Sequence, residues 1–135
     1  MSGLLRLPAR LLRAMEAEAA ARPEEEVCGL LSGHGNVADT LLPVENALHS
    51  PHAFDMEPAG LLDAMRNIRE SGGELVAIYH SHPFGPAYPS RTDVASNQYP
   101  EVAHVLIGRE GAEWRVRAFR LDDGVGELTL KTVAG

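Results

Sequence analysis

The sequence predicts an α/β chain of the α+β kind, a mixed sheet flanked by helices, and three observations carry that expectation. Two segments repeat apolar residues at spacings of three and four: Leu11, Leu12, Met15 and Ala19 in one, Leu61, Leu62, Met65 and Ile68 in the other. Several shorter runs are apolar, β-branched or aromatic and are bounded by Gly, Pro or Asn, as strands are. One of these, Leu75 to Tyr79, leads without a break into His80 and His82.

Taken in order, Pro8 occupies a first helical position, and a helix runs from about Pro8 to Arg22, where Pro23 ends it. Glu26 to Ser32 reads as a strand, and Gly33, His34, Gly35 and Asn36 turn it into a second strand through Leu41 and Leu42. The hairpin has Glu24, Glu25 and Glu26 at its entry. Residues 45–56 carry Asn, His, Ser and Pro without period and read as loop. A second helix starts at Pro58 and closes at Gly72 and Gly73. The buried strand Leu75 to Tyr79 follows and ends at His80; Pro83, Gly85, Pro86 and Pro89 stop it and forbid a helix. Ser90 to Asp93 opens a short helical stretch that Pro100 closes, and strands follow near Ala103 to Ile107, Trp114 to Arg120 and Leu128 to Val133. A chain of 135 residues builds one core, so residues 1–135 read as one domain.

Charge and composition narrow the function. A net charge of −7 argues against a nucleic-acid surface, whose affinity comes from basic groups on phosphates, and suits a neutral or basic protein partner. The single Cys28 cannot form an intramolecular disulfide; without a basic neighbour it reads as a small buried hydrophobe, not a nucleophile. Arg6, Arg10 and Arg13 interrupt any N-terminal apolar run long enough for a signal or membrane segment, so a cytoplasmic protein with no membrane contact is expected.

The chemistry concentrates in HSHPFGPAYPSRTD, residues 80–93. Side chains two apart on a strand point the same way, which sets the His80 and His82 imidazoles on one face about 7 Å apart at Cβ, a workable span for two ligands of one ion. Asp93 adds a carboxylate. Two histidines and a carboxylate leave a fourth tetrahedral position open on zinc, the layout of a catalytic site. A plainer account of Ser90 and Asp93 stands beside this one: Ser-x-x-Asp at a helix start is also a capping box. Glu24, Glu25 and Glu26 likewise suit a solvated acidic turn. His34, His49, His52 and His104 are assigned to no metal. His104 alternates with Val105 on its strand as a packed or edge residue, and Phe84 and Tyr88 border the cleft.

The run His80, Ser81, His82, Pro83, then Ser90 and Asp93, resembles the motif of the JAMM (MPN+) metalloproteases at every position. The family's upstream glutamate, ahead of a Cys-Gly pair, corresponds to Glu26 before Cys28 and Gly29, and the resemblance extends through Asn46 and Phe54. It implies the JAMM fold, similar to that of cytidine deaminases, and one zinc ion on His80, His82 and Asp93. It implies Glu26 as the general base, semi-buried with a raised pKa, while Glu24 and Glu25 stay at the surface. Ser90 would donate its hydroxyl to the tetrahedral oxyanion or to the metal-bound water. The implied activity is that of a zinc metallopeptidase or isopeptidase acting on the C-terminal tail of a ubiquitin-fold or sulfur-carrier protein. Such a tail is expected to add as a strand at a sheet edge near the metal. The alternative, from relatives that lack ligands, is a metal-free protein-binding scaffold, and a homodimer is left open. A nucleobase deaminase would need His-x-Glu and Pro-Cys-x-x-Cys, which one cysteine cannot supply.

Overall fold

Leu5 and Leu7 are buried and alternate with Leu4 and Arg6 along an opening strand, β1 (Leu4–Pro8), which the periodicity of the chain does not announce. It appears in a computed structural model that describes residues 3–97, 99–122 and 124–135. The elements that follow are α1 (Ala9–Ala21), β2 (Cys28–His34), β3 (Val37–Val44), α2 (Pro58–Ser71) and β4 (Glu74–His82). Then come α3 (Arg91–Ala95), β5 (Ala103–Glu110), β6 (Glu113–Arg120) and β7 (Gly126–Val133). The expected mixed sheet with flanking helices is present.

The strands close on themselves in the order β1-β3-β2-β4-β5-β6-β7. β1 makes the closure: it lies parallel to β7 from Leu4↔Thr129 to Pro8↔Val133 and meets β3 at Arg6↔Val37. β4 is antiparallel to β2 and parallel to β5. The histidine strand is therefore hydrogen-bonded on both sides and is not itself a sheet edge, whereas β3 meets β1 only at Arg6↔Val37.

Leu11, Met15 and Ala19, one face of α1 at a spacing of four, pack into the main core with Leu31, Ala77, Tyr79 and Val105. Helix α2 covers the opposite face of the sheet. Glu57 caps it by accepting from the Ala59 and Gly60 amides, Pro58 begins it, and Gly72 ends it at φ 79°, a left-handed cap that favours glycine. Ala64 and Ile68 pack there on Leu30 and Ile78.

Alternation along β4 sends Ile78, His80 and His82 to the α2 side. Their registered partners, Leu30 and Cys28 on β2 and His104, Leu106 and Gly108 on β5, share that face. Gly29 is required by its cross-strand neighbour: a Cβ there would stand 2.6 Å from the Tyr79 ring. The Tyr79 hydroxyl in turn donates to Glu18 at 2.7 Å. Among the described residues, no helix is long and apolar enough to cross a membrane.

Candidate metal centre

Three side chains converge at the C-terminal end of β4. The Nε2 atoms of His80 and His82 are 3.1 Å apart, His80 Nε2 is 3.1 Å from Asp93 Oδ1, and His82 Nε2 is 3.1 Å from Asp93 Oδ2. All three are largely buried. The His80–His82 spacing allows an N–H···N hydrogen bond in one tautomer, and it is also close to the edge, about 3.3 Å, of a tetrahedron with zinc–nitrogen bonds near 2.0–2.1 Å. The donor set fits a zinc ion.

The neighbours of the histidines favour the same conclusion. His82 Nδ1 donates to the Pro86 carbonyl at 2.9 Å, which leaves Nε2 of the neutral ring bare, the tautomer a ligand needs. Phe54 stacks on His80 with centroids 4.4 Å apart. Complete burial pushes the His80 pKa down. At His82 burial also opposes the charged form, but Asp93 and the Pro86 carbonyl outweigh it and the pKa rises. Burial works against the Asp93 carboxylate too, and the hydrogen bonds from His80 and His82 overcome it, holding the carboxyl far below its usual range.

The capping box at α3 is real and coexists with this geometry. Ser90 Oγ accepts from the Asp93 amide at 3.0 Å and the Ser90 amide donates to Asp93 Oδ2 at 2.8 Å. The cap aims the carboxylate. Because Ser90 Oγ only accepts in the cap, its O–H remains to donate into the groove that Ser90 lines with Glu26, His82 and Phe84.

Glu26 joins the group from two residues ahead of β2, not from within the strand. One of its carboxylate oxygens lies within 4.8 Å of the two histidine nitrogens, and its Oε1 is buried without a hydrogen-bond partner among the described residues. Burial pushes its pKa up to about 7, with His82 pulling down and Asp93 pushing up. Three contacts hold it there. Ser81, between the two histidines and on the other face, accepts from the Val27 amide and donates its own amide to the Val27 carbonyl, each at 2.9 Å. The Glu26 amide donates to the Ser50 carbonyl at 2.8 Å. Asn46, 1% exposed, donates to the carbonyls of Glu26 and Ala53 while its Oδ1 accepts from the Leu48 and Asp55 amides. The loop at 45–56 is thereby tied over the site. It also buries Glu25, expected at the surface, which pairs with Arg22 and His49.

In the metal-free protein the buried Glu26 acts on stability. As pH rises from 4.5 to about 7 the unfolded chain has lost this proton while the folded one still holds it, so stability falls across that window and levels off above it. At about 1.4 kcal/mol per pH unit the loss is at most about 3 kcal/mol. Glu26→Gln removes that slope, as urea unfolding of both metal-free proteins at about pH 4 and about pH 8 will show.

Gly108 is a further determinant that sequence reasoning missed. It sits opposite His82, and a Cβ there would collide with the Ala87 amide nitrogen and the Pro86 carbonyl carbon. Only a glycine lets the proline loop cross close enough for Pro86 to hold His82. Gly108→Ala is expected to destabilise the fold by roughly 1–3 kcal/mol and to weaken metal binding about 10–100-fold, as loss of a ligand's supporting hydrogen bond does. Chemical unfolding and metal titration measure the two effects. Cys28 takes no part: it is fully buried, donates to the Val44 carbonyl, and burial pushes its thiol up to about 12. Among the described residues, His34, His49 and His52 lie outside the donor group.

A curled mixed sheet that delivers two histidines from one strand and an aspartate from the next helix defines a peptidase of the JAMM type. The chain belongs to the prokaryotic homologs of the JAB domain, whose family model matches residues 8–122. It is 36% identical over 122 residues to a probable TtuB-protein conjugate cleaving protease of Thermus thermophilus, covering 90% of this chain and 78% of that one. To a CysO-cysteine peptidase of Mycobacterium tuberculosis it is 33% identical over 124 residues, covering 90% and 85%. A solution structure of a Desulfitobacterium hafniense protein superposes with a TM-score of 0.87 at 28% identity, covering 97% and 94% of the two chains.

Proposed function

We propose that the protein is a cytosolic zinc metallopeptidase, a single domain over residues 1–135, that hydrolyses the amide at the C-terminal tail of a ubiquitin-fold, sulfur-carrier-like protein. The observation that carries the reading is the triangle of His80, His82 and Asp93 donors at 3.1 Å with the buried, unpaired Glu26 oxygen beside it. The relatives named as a TtuB-protein conjugate cleaving protease and as a CysO-cysteine peptidase support the substrate class.

His80, His82 and Asp93 would hold the ion. When bound, zinc supplies a Lewis acid that acidifies water and polarises a carbonyl. Glu26, raised toward neutral pH by burial, takes a proton from the attacking water as its oxygen bonds to the scissile carbon. Glu26 then returns that proton to the leaving nitrogen as the C–N bond breaks. Ser90 donates its hydroxyl to the oxygen of the tetrahedral intermediate, and its cap holds it in place. With β4 paired on both sides, the tail cannot add a strand to β4 itself and reaches the metal site from beside the loop at 45–56.

Incubating the zinc-loaded protein with ubiquitin-fold conjugates and following intact mass tests the proposal. Release of the tail intact at its C-terminal residue is the expected result; an unchanged mass across conjugates with ordered, zinc-replete protein overturns it.

A further inference from the structure

Beside the metal centre, sharing no lining residue with the Ser90 groove, a cavity of about 440 Å³ runs between α2 and the β4–β5 pair. Its walls are mostly apolar and include Met56, Leu61, Met65, Ile78 and Tyr99, with the metal-site residues His80 and Asp93 at one end. The two methionines make it adaptable. The volume is that of a pocket for a sizeable group.

His104 also lines this cavity, from a strand that is central in the sheet and not at an edge. It is 7% exposed, and its Nε2 has no hydrogen-bond partner among the described residues. Its ring hydrogen-bonds the Tyr99 main chain, which assigns the ring proton to Nδ1 and leaves Nε2 a bare acceptor. Burial keeps this imidazole neutral, its pKa pushed down to about 4. His80, lining the same cavity, has an Nδ1 that is likewise buried and unpartnered. With Nε2 on the metal, that Nδ1 carries the ring proton and is a donor. A chamber that is apolar in its walls and holds an unmet acceptor and an unmet donor asks for a bulky apolar group ending in a hydroxyl, which can both donate and accept.

We propose that this chamber is a side-chain pocket of the substrate channel, taking a tyrosine-class side chain from the polypeptide next to the scissile amide, with His104 Nε2 as the acceptor that reads its hydroxyl. The assignment of the occupant to the substrate rests on the peptidase reading, whereas the pocket and its acceptor do not. A side chain of the same shape without the hydroxyl leaves the acceptor buried and unpaired, which is a strong basis for discrimination.

The probes are p-cresol and toluene, which match the side chains of tyrosine and phenylalanine, titrated into zinc-loaded protein carrying nitrogen-15 histidine. p-Cresol is expected to bind at least about tenfold more tightly than toluene and to shift His104 Nε2 in the direction of an accepted hydrogen bond. His104→Leu should abolish the preference while zinc content stays the same; the wild-type comparison stands by itself if that variant does not fold. Equal affinity for the two probes, or binding that leaves His104 Nε2 unmoved, overturns the proposal and makes the acceptor a site for buried water. Peptides with Tyr or Phe beside the scissile amide then extend the comparison to kcat/KM. A protein that binds p-cresol through His104 but cleaves no conjugate would retain the pocket and refute only the peptidase reading.

Discussion

Asp93→Asn is expected to leave the fold intact and to cost more than about a hundredfold in zinc affinity, with hydrolysis lost in parallel. This substitution separates the two roles that the structure gives one carboxylate. As the third residue of α3, Asp93 accepts from the Ser90 amide and completes the capping box. An asparagine oxygen can keep that bond, so the helix start should survive within about 1 kcal/mol. As a donor to a cation, Asp93 presents one oxygen to each histidine and carries the only charge of the three-ligand set. The amide has no charge and offers an NH₂ where one of those oxygens stood. Zinc titration against a chelator, beside urea unfolding of the metal-free proteins, reads the two roles independently. Unchanged zinc affinity would reduce Asp93 to a helix cap. In the wild type, affinity should also fall with acid, since a ligand nitrogen must be free of its proton and the His82 pKa is raised.

What the sequence discloses of this site follows from which contacts are local. His80, His82, Ser90 and Asp93 lie within one strand, one proline loop and one helix start, so alternation pairs the histidines, capping pairs Ser90 with Asp93, and the spacing of the whole motif joins the two. Glu26 is different. Its burial depends on Ser81 and Asn46 and on a loop folding back from residue 50, contacts that no periodicity encodes, and the family resemblance alone singled it out from Glu24 and Glu25. Glu25 shows the limit of that help, since the same loop buries it as well. The strand β1 was illegible because it spans five residues, ends in proline and runs directly into a helix. With β1 unseen, the closure of the sheet through β7 was unseen too. Gly108 and His104 became meaningful only with the β4–β5 register, which places one opposite His82 and the other opposite Ile78.

Glu26→Gln should lower kcat about 10²–10⁴-fold, the usual contribution of a positioned proton-transfer group, while KM and zinc stoichiometry remain near wild type. The side chains have almost the same shape, so the buried position is filled in both, but the amide can neither take a proton from water nor deliver one to the leaving nitrogen. Geometry raises a competing role that the same variant decides. Glu26 shares a group with His80 and His82, all within 4.8 Å, and a carboxylate at that range could serve as a ligand instead of a base. Asp93, at 3.1 Å from both histidines and held by its cap, already supplies the carboxylate of the triangle. Glu26 stands with one oxygen buried and unpaired among the described residues, the condition of a group waiting for the proton of a water. Zinc retained with catalysis lost identifies the base; zinc lost with it would make Glu26 a ligand and return the search for a base to the groove beside Ser90.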